Sequence, residues 1–247
     1  MRLSTLNKLS TPLLFLGTWE AISRSGIVSP TLFPPPSMVA LAGITLIRNG
    51  LLLDIMVSLS RVIAGLSIGS VAGIFIGILT GRNPALDEAL SPLFNVMRAF
   101  PPVALIPLII TWFGIGETAK IFSIALAVLF PVWVNTHIGA KRVPAPYIHA
   151  AQTLTRSRYT IYRKVIFPSC APFSLAGIRN GVAIAFIMMY VSELAGASNG
   201  LGYQIAVSHL SYAIDKMMAA ILILGLIAAL TDNLFVKLVH RVAPWIR

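Results

Sequence analysis

Apolar residues dominate the chain in long runs, and the polar positions fall between those runs. A bilayer core of about 30 Å takes on the order of 20 mostly apolar residues per helix. Six stretches meet that length, at roughly 9–28, 54–80, 92–112, 118–138, 170–195 and 216–236. Glycine and proline inside them do not argue against helix, because membrane spans tolerate both. In the second run Gly65, Gly69, Gly73 and Gly77 recur every four residues. They share one helix face and permit a neighbouring helix to approach closely. The third run contains adjacent prolines, Pro101 and Pro102, where a helix has to break or bend.

The connections carry their own patterns. The loop 139–169 contains the most polar stretch of the chain, His149 to Pro168, HAAQTLTRSRYTIYRKVIFP. Its apolar residues Ala151, Leu154, Ile161 and Val165 stand at helical spacing, and Arg156, Arg158, Arg163 and Lys164 occur with no acidic residue among them. This predicts a basic amphipathic helix that stops at Pro168, since proline has no N–H to give. Such a helix, held between two spans, is a docking element or a membrane-surface element. Residues 29–37, SPTLFPPPS, hold four prolines and cannot be helical throughout. An amphipathic segment, Met38 to Ile47, follows and is expected on the outer membrane surface. Residues 196–215, GASNGLGYQIAVSHLSYAID, predict a turn followed by a short helix.

Composition supports the same reading. The 247 residues are 57% hydrophobic and 11% charged, against roughly 25% charged in an ordinary soluble domain. The predicted class is therefore an all-α membrane protein. A net charge of +11 would point to nucleic acid in a soluble chain. Here the basic residues lie between or beside apolar runs, so topology accounts for them and no nucleic-acid partner is expected. An even number of spans puts both termini on one side, together with Arg2, Lys8, Arg82, Lys141, Arg142, the basic residues of the central stretch, Lys237, Arg241 and Arg247. The other side holds little beyond Arg24, Arg48, Lys120 and Lys216. The positive-inside rule then places both termini and the 139–169 loop in the cytoplasm. A basic N-terminus precedes the first run without a clean small-x-small cleavage motif, so a retained first span is expected. The single cysteine, Cys170, excludes an internal disulfide and a cysteine-rich metal site.

Little in the chain marks catalysis. It has no P-loop, no GxGxxG fingerprint and no HExxH, and His137, His149, His209 and His240 have no ligand spacing. No metal site and no catalytic residue are assigned, and Ser174 and Ser192 read as helix-packing hydroxyls. Ionisable residues inside the runs are more informative, because a charge in lipid is costly. They are Arg61, Arg179, Glu193 and Asp232, with Glu20 and Arg98 nearer the ends. Intrachain pairing or snorkelling is one reading, and a polar lining for a translocation route is the other. Arg61, Arg98, Arg179 and Glu193 are the pathway candidates. Glu193 stands just before the Gly-rich outer turn, where a gate would sit, and Arg98 is placed at the cytoplasmic mouth.

These features together resemble the membrane-spanning permease subunit of binding-protein-dependent ABC importers, in the branch of nitrate, taurine and alkanesulfonate permeases. That family has a cytoplasmic signature: E-A-A, three residues, G, nine residues, then I-x-L-P. Here it reads His149-Ala150-Ala151, Thr155 and Val165-Ile166-Phe167-Pro168 at full spacing. Further likeness lies in Leu32 to Ser37, Ser58-Leu59-Ser60-Arg61-Val62, Arg98 to Leu108, Trp112 to Glu117 with Lys120, and Glu193 followed by Gly200-Leu201-Gly202-Tyr203. Two positions depart from it. His149 stands where the family has glutamate, which suits a helix N-terminus. Thr155 stands where it has glycine at a turn between short cytoplasmic helices. Positive φ is costly for a β-branched residue, so a differently shaped turn, weaker coupling or a changed partner surface is expected.

The resemblance implies a type I ABC importer permease fold. It has about six transmembrane helices, a cytoplasmic coupling-helix loop and an outer amphipathic helix, all in one domain, 1–247. It implies a homodimeric pore in the bacterial inner membrane and two ATP-binding subunits docked on the coupling loop. An extracytoplasmic binding protein, periplasmic or lipid-anchored, would deliver the solute. His149, Ala150, Ala151, Thr155, Arg156, Arg158, Arg163 and Pro168 would form the ATPase-coupling surface. ATP and magnesium would be bound by the partner, with no cofactor in this chain, which would not itself be an enzyme. The expected cargo is a small anion such as a sulfonate, taurine or nitrate, with a vitamin precursor as the alternative. A self-contained secondary transporter would need its own ion site on inverted repeats, and no such repeat is visible. A membrane-embedded enzyme would need a catalytic pair within one span, which is also missing.

Overall fold

A computed structural model describes residues 2–242, with side chains for residues 10–241. Arg2, Lys8 and Arg247, which entered the charge argument, therefore lie wholly or by their side chains outside what is described. The described residues form helices and connections with no strand. In chain order the helices are α1 (Arg2–Arg24), α2 (Pro36–Leu46), α3 (Leu52–Arg82), α4 (Pro84–Met97), α5 (Ile106–Phe113), α6 (Glu117–Lys141), α7 (Ala145–Leu154), α8 (Arg158–Ile161), α9 (Phe167–Leu194), α10 (Leu201–Leu210) and α11 (Ile214–Val242). Four helical segments are long and apolar enough to cross a membrane, 36–82, 117–141, 158–194 and 214–241. A fifth is reached if α4 and the 102–113 segment, bent by 87° at the Pro101-Pro102 break, count as one span. The expected first span at 9–28 falls mostly in α1, which is helical but not among these. The third, expected at 92–112, is divided between α4 and α5.

Local chemistry sets the helix ends. Pro36 starts α2 and Pro84 starts α4, each in a first turn where the missing N–H is not needed. Asn83 caps α4, its side chain accepting from the amides of Ala85 at 3.1 Å and Leu86 at 3.4 Å. Gly114, at φ 73°, closes α5 in the left-handed region that glycine reaches without strain. The expected surface segment Met38–Ile47 is α2 and the start of a π-turn. That turn, broken by Gly50 at φ 99°, leads directly into α3.

The chain forms two compact units. The first comprises residues 1–57 and 198–227. In it the proline loop is tied to α1: Trp19 donates to the Pro34 carbonyl at 3.2 Å and its ring meets Phe33 at 5.8 Å. Asp54 accepts from the Gly200 amide at 2.6 Å and the Gln204 side chain at 2.7 Å, which fixes the start of α10. The second unit comprises 58–197 and 228–247, and its core is α6. Ile124, Val128, Val132 and Trp133 are buried there, as are Val62 of α3 and Val182, Ala185 and Met188 of α9. The four glycines of α3 face α6, as their spacing predicts: a Cβ on Gly73 would stand 2.8 Å from the Leu129 carbonyl and 2.8 Å from Val132 Cβ. On the other side of α6, a Cβ on Gly177 of α9 would stand 2.9 Å from Val132 Cα. Glycine lets three helix backbones meet where any side chain would hold them apart. Along α11 the leucines at 222, 226, 230, 234 and 238 are all exposed, a lipid-like surface rather than a soluble one.

Candidate functional site

The polar loop between α6 and α9 is built on a small apolar base. Ala140 and Val143 at the end of α6, Ile161 of α8, and Ile166 and Cys170 at the start of α9 form a buried cluster. Ile148, Ala151 and Val165 pack against it. The one amphipathic helix expected from His149 onward is instead two short helices, split at Thr155–Ser157. Hydroxyls cause the split. The Thr155 Oγ1 accepts from the Ser157 amide at 3.2 Å, and the Ser157 Oγ accepts from the Thr160 amide at 3.4 Å, so side chains replace helical bonds. Leu154, which the helical spacing placed on the apolar face, is consequently 86% exposed. Thr155 is extended, at φ −155° and ψ 141°, so this turn makes no demand for glycine. Pro168 does not end a helix. It sits in the first turn of α9, after a π-turn at Tyr162–Ile166 that absorbs the missing donor.

His149, Ala150, Arg156, Arg158, Arg163 and Pro168 are exposed, and Ala151 and Thr155 are half-buried. With exposed Tyr147, Leu154 and Tyr159, the loop offers a surface of cations and apolar side chains together. A groove of about 480 Å³ is lined by Tyr147, Ala151, Leu154, Lys164, Val165 and Pro168 among others.

Two of the four pathway candidates come together. Arg61 donates from Nη1 to Glu193 at 2.7 Å, and from Nε and Nη2 to the two carboxylate oxygens of Glu117, each at 2.6 Å. Ser58 also donates to Glu193 at 2.7 Å, and Lys120 donates to Glu117 at 3.1 Å. The Arg61 and Glu193 side chains are 1% and 0% exposed, whereas that of Glu117 is 57% exposed. Two cations meet two carboxylates, so the cluster is neutral and its strongest bonds lie within the chain. It ties the ends of α3, α6 and α9 together opposite the polar loop. The pairing of Glu117 with Arg61 has no counterpart in the sequence pattern; the chain shows Glu117 only as an acidic residue opening a helix after a glycine turn, within the stretch of family likeness.

The other two candidates stand apart. Arg179 makes a two-bond pair with Asp232, 3.0 Å for each. Arg98 is exposed at the end of α4, where its Nε donates to the Asn95 side chain at 3.0 Å. It borders a cavity of about 440 Å³ whose walls include Pro102, Val103, Pro131, Asn135 and Ile184. A second polar group also escaped the sequence: Asp87 holds Lys141 at 2.6 Å, and the Thr80 hydroxyl meets His137 Nδ1 at 2.9 Å and accepts from Trp133 at 3.2 Å. Among the described residues, no three His, Cys, Asp or Glu side chains are grouped to hold a metal.

Comparison with known proteins places these features. Residues 69–244 match the family described as the binding-protein-dependent transport system inner membrane component. The chain is 35% identical over 97% of its length, and 87% of the relative, to SsuC of Bacillus subtilis (strain 168), a permease whose name assigns it to aliphatic sulfonate transport. It is 32% identical over 96% of its length to the taurine transport system permease protein TauC of Escherichia coli (strain K12), covering 88% of that protein. It is 30% identical over 79% of its length to the nitrate import permease protein NrtB of Synechocystis, covering 71%. An inward-facing MetNI methionine ABC transporter structure shares the fold, with a TM-score of 0.63 at 20% identity, over 75% of this chain and 93% of that one.

Proposed function

This chain belongs to the family of binding-protein-dependent transport system inner membrane components, and from that premise we propose how its parts divide the work. It is the membrane-spanning permease subunit of an ABC importer and not itself an enzyme. The family implies an ATP-binding partner and a solute-binding protein. In this reading two copies of the chain, each a single permease domain over residues 1–247, enclose the pathway in a bacterial inner membrane, with both termini in the cytoplasm. Two ATPase subunits, which hold the ATP and magnesium, dock on α7 and α8. His149, Ala150, Ala151, Thr155, Arg156, Arg158, Arg163 and Pro168 lie on or beside that surface. A periplasmic or lipid-anchored binding protein delivers a small anion of the sulfonate, taurine or nitrate kind.

One observation carries the docking assignment: the loop is exposed on its outer face yet seated on a buried cluster that joins α6 to α9. Displacing α7 therefore displaces the helix pair, not the loop alone. At the far end the same two helices are bound to α3 through Arg61. A push on the loop is thus transmitted as a rigid-body movement of three helices, which is what alternating access requires. Arg61 and Glu193 act here as a latch at that end, and Arg179 with Asp232 as a second tie. Of the pathway candidates, Arg98 is the one left to meet solute.

Co-purification tests this reading. Arg158→Glu together with Arg163→Glu is expected to reduce ATPase-subunit recovery at least tenfold while leaving the thermal unfolding of the permease unchanged. Full recovery with normal ATP-driven uptake would reject the docking surface.

A further inference from the structure

The cavity beside Arg98 combines one cation with apolar walls. Arg98 stands at the rim, and among the described residues no carboxylate pairs with it, unlike Arg61 and Arg179. The chain bends by 87° just after Arg98, and Pro102 and Val103 beyond the bend line the same opening. Asn135 brings an amide to the lining, its Nδ2 donating to the Pro131 carbonyl at 2.8 Å. Pro102, Val103, Ile184 and Ile187 make much of the remaining wall. At about 440 Å³ the space falls within the roughly 300–1,000 Å³ common for small-molecule sites. A bare inorganic oxyanion would gain the guanidinium but would lose hydration against walls that are mostly apolar. An anion with a short hydrocarbon body uses both parts. Its headgroup takes charge-assisted bonds from Arg98, and its carbons cover the valine and isoleucines.

We propose that this cavity is a binding site within the permease for a small organic anion with an apolar body. Its acidic headgroup rests on Arg98 and its carbon chain lies along Val103, Ile184 and Ile187. The permease itself then selects alkanesulfonate-type solutes over inorganic oxyanions. This deepens the importer reading and rests on it. Selectivity is not left to the binding protein alone.

The test uses the full permease–ATPase complex in phosphatidylcholine nanodiscs, without binding protein, titrated with ethanesulfonate, butanesulfonate, hexanesulfonate and nitrate. Affinity should rise about fourfold for each added methylene, with nitrate the weakest. Arg98→Gln should weaken butanesulfonate binding by about tenfold or more, and Arg98→Lys should retain most of it. Ile184→Trp, which fills the cavity, should abolish the dependence on chain length. Nitrate binding as tightly as butanesulfonate would overturn the proposal. So would sulfonate affinities that are the same in Arg98→Gln as in wild type at every chain length, which would mean partition into lipid. Displacement of the sulfonate by phosphatidylglycerol, lost together with Arg98, would assign the cavity to a lipid headgroup and also overturn it. ATP-driven uptake with the binding protein is measured separately. If uptake is present and the titrations fail, only the site is lost; if wild-type uptake is absent, the importer reading fails instead.

Discussion

Replacing Arg61 with methionine should destabilise the permease far more than replacing its exposed partner Glu117. Glu193 is fully buried, and Arg61 supplies a 2.7 Å charge-assisted bond to it. Methionine of similar reach keeps the packing but removes the counter-charge, while Ser58 still donates at 2.7 Å. Removing one partner of a buried pair costs about 3–5 kcal/mol. For a chain of this size that is a fall in unfolding temperature of roughly 6–20 °C. Glu117 is a different case, since its side chain is 57% exposed and screened by solvent. Glu117→Gln should cost about 1 kcal/mol or less. The double replacement Arg61→Met with Glu193→Leu removes both charges and should recover most of the loss, because an apolar pair of similar volume is commonly neutral beside a buried ion pair. Intrinsic tryptophan fluorescence during heating of the purified complex in nanodiscs measures all four proteins. An Arg61→Met permease that unfolds within about 2 °C of wild type, or a double variant less stable than the single one, would refute the latch.

Two further outcomes follow from the packing and the loop. Gly73→Leu drives a side chain into the Leu129 carbonyl and Val132; it should cost about 1–3 kcal/mol and separate α3 from α6, seen as reduced folded yield and lower thermal stability. Thr155→Gly, which restores the family's usual residue, should not improve ATPase-subunit recovery, because Thr155 is already extended at φ −155°; improved recovery would show that the turn is glycine-like after all.

The helical, membrane-embedded character was legible because run length and the four-residue glycine stripe are local signals, and the stripe does meet α6. The same locality explains what was missed. Arg61 and Glu193 each stood out as costly charges, but their partnership spans 132 residues, and no pattern along the chain connects them. Glu117 gave no sign of its pairing either, because its partner lies on α3, 56 residues away. The break of the third run at Pro101-Pro102 was visible, but not its 87° angle. In the polar loop, hydrophobic spacing suggested one helix from His149 onward, yet two hydroxyl caps within three residues outweighed it. Pro168 does not stop the helix as its lack of a donor predicts, because it follows a π-turn and occupies the first turn of α9.

Docking of the motor on the polar loop can be read through the chain's single cysteine, Cys170, which is 1% exposed. Cys170 should be inert to a maleimide in the folded protein, so a cysteine introduced by Leu154→Cys, at the most exposed apolar position of the loop, reports alone. In the isolated permease it should label readily. With the ATPase subunit bound it should be protected at least tenfold, whereas Ile27→Cys, equally exposed but far from the loop in sequence, should label the same in both. Equal labelling of Leu154→Cys with and without a stoichiometric ATPase subunit would contradict the claim that this loop is where the motor engages.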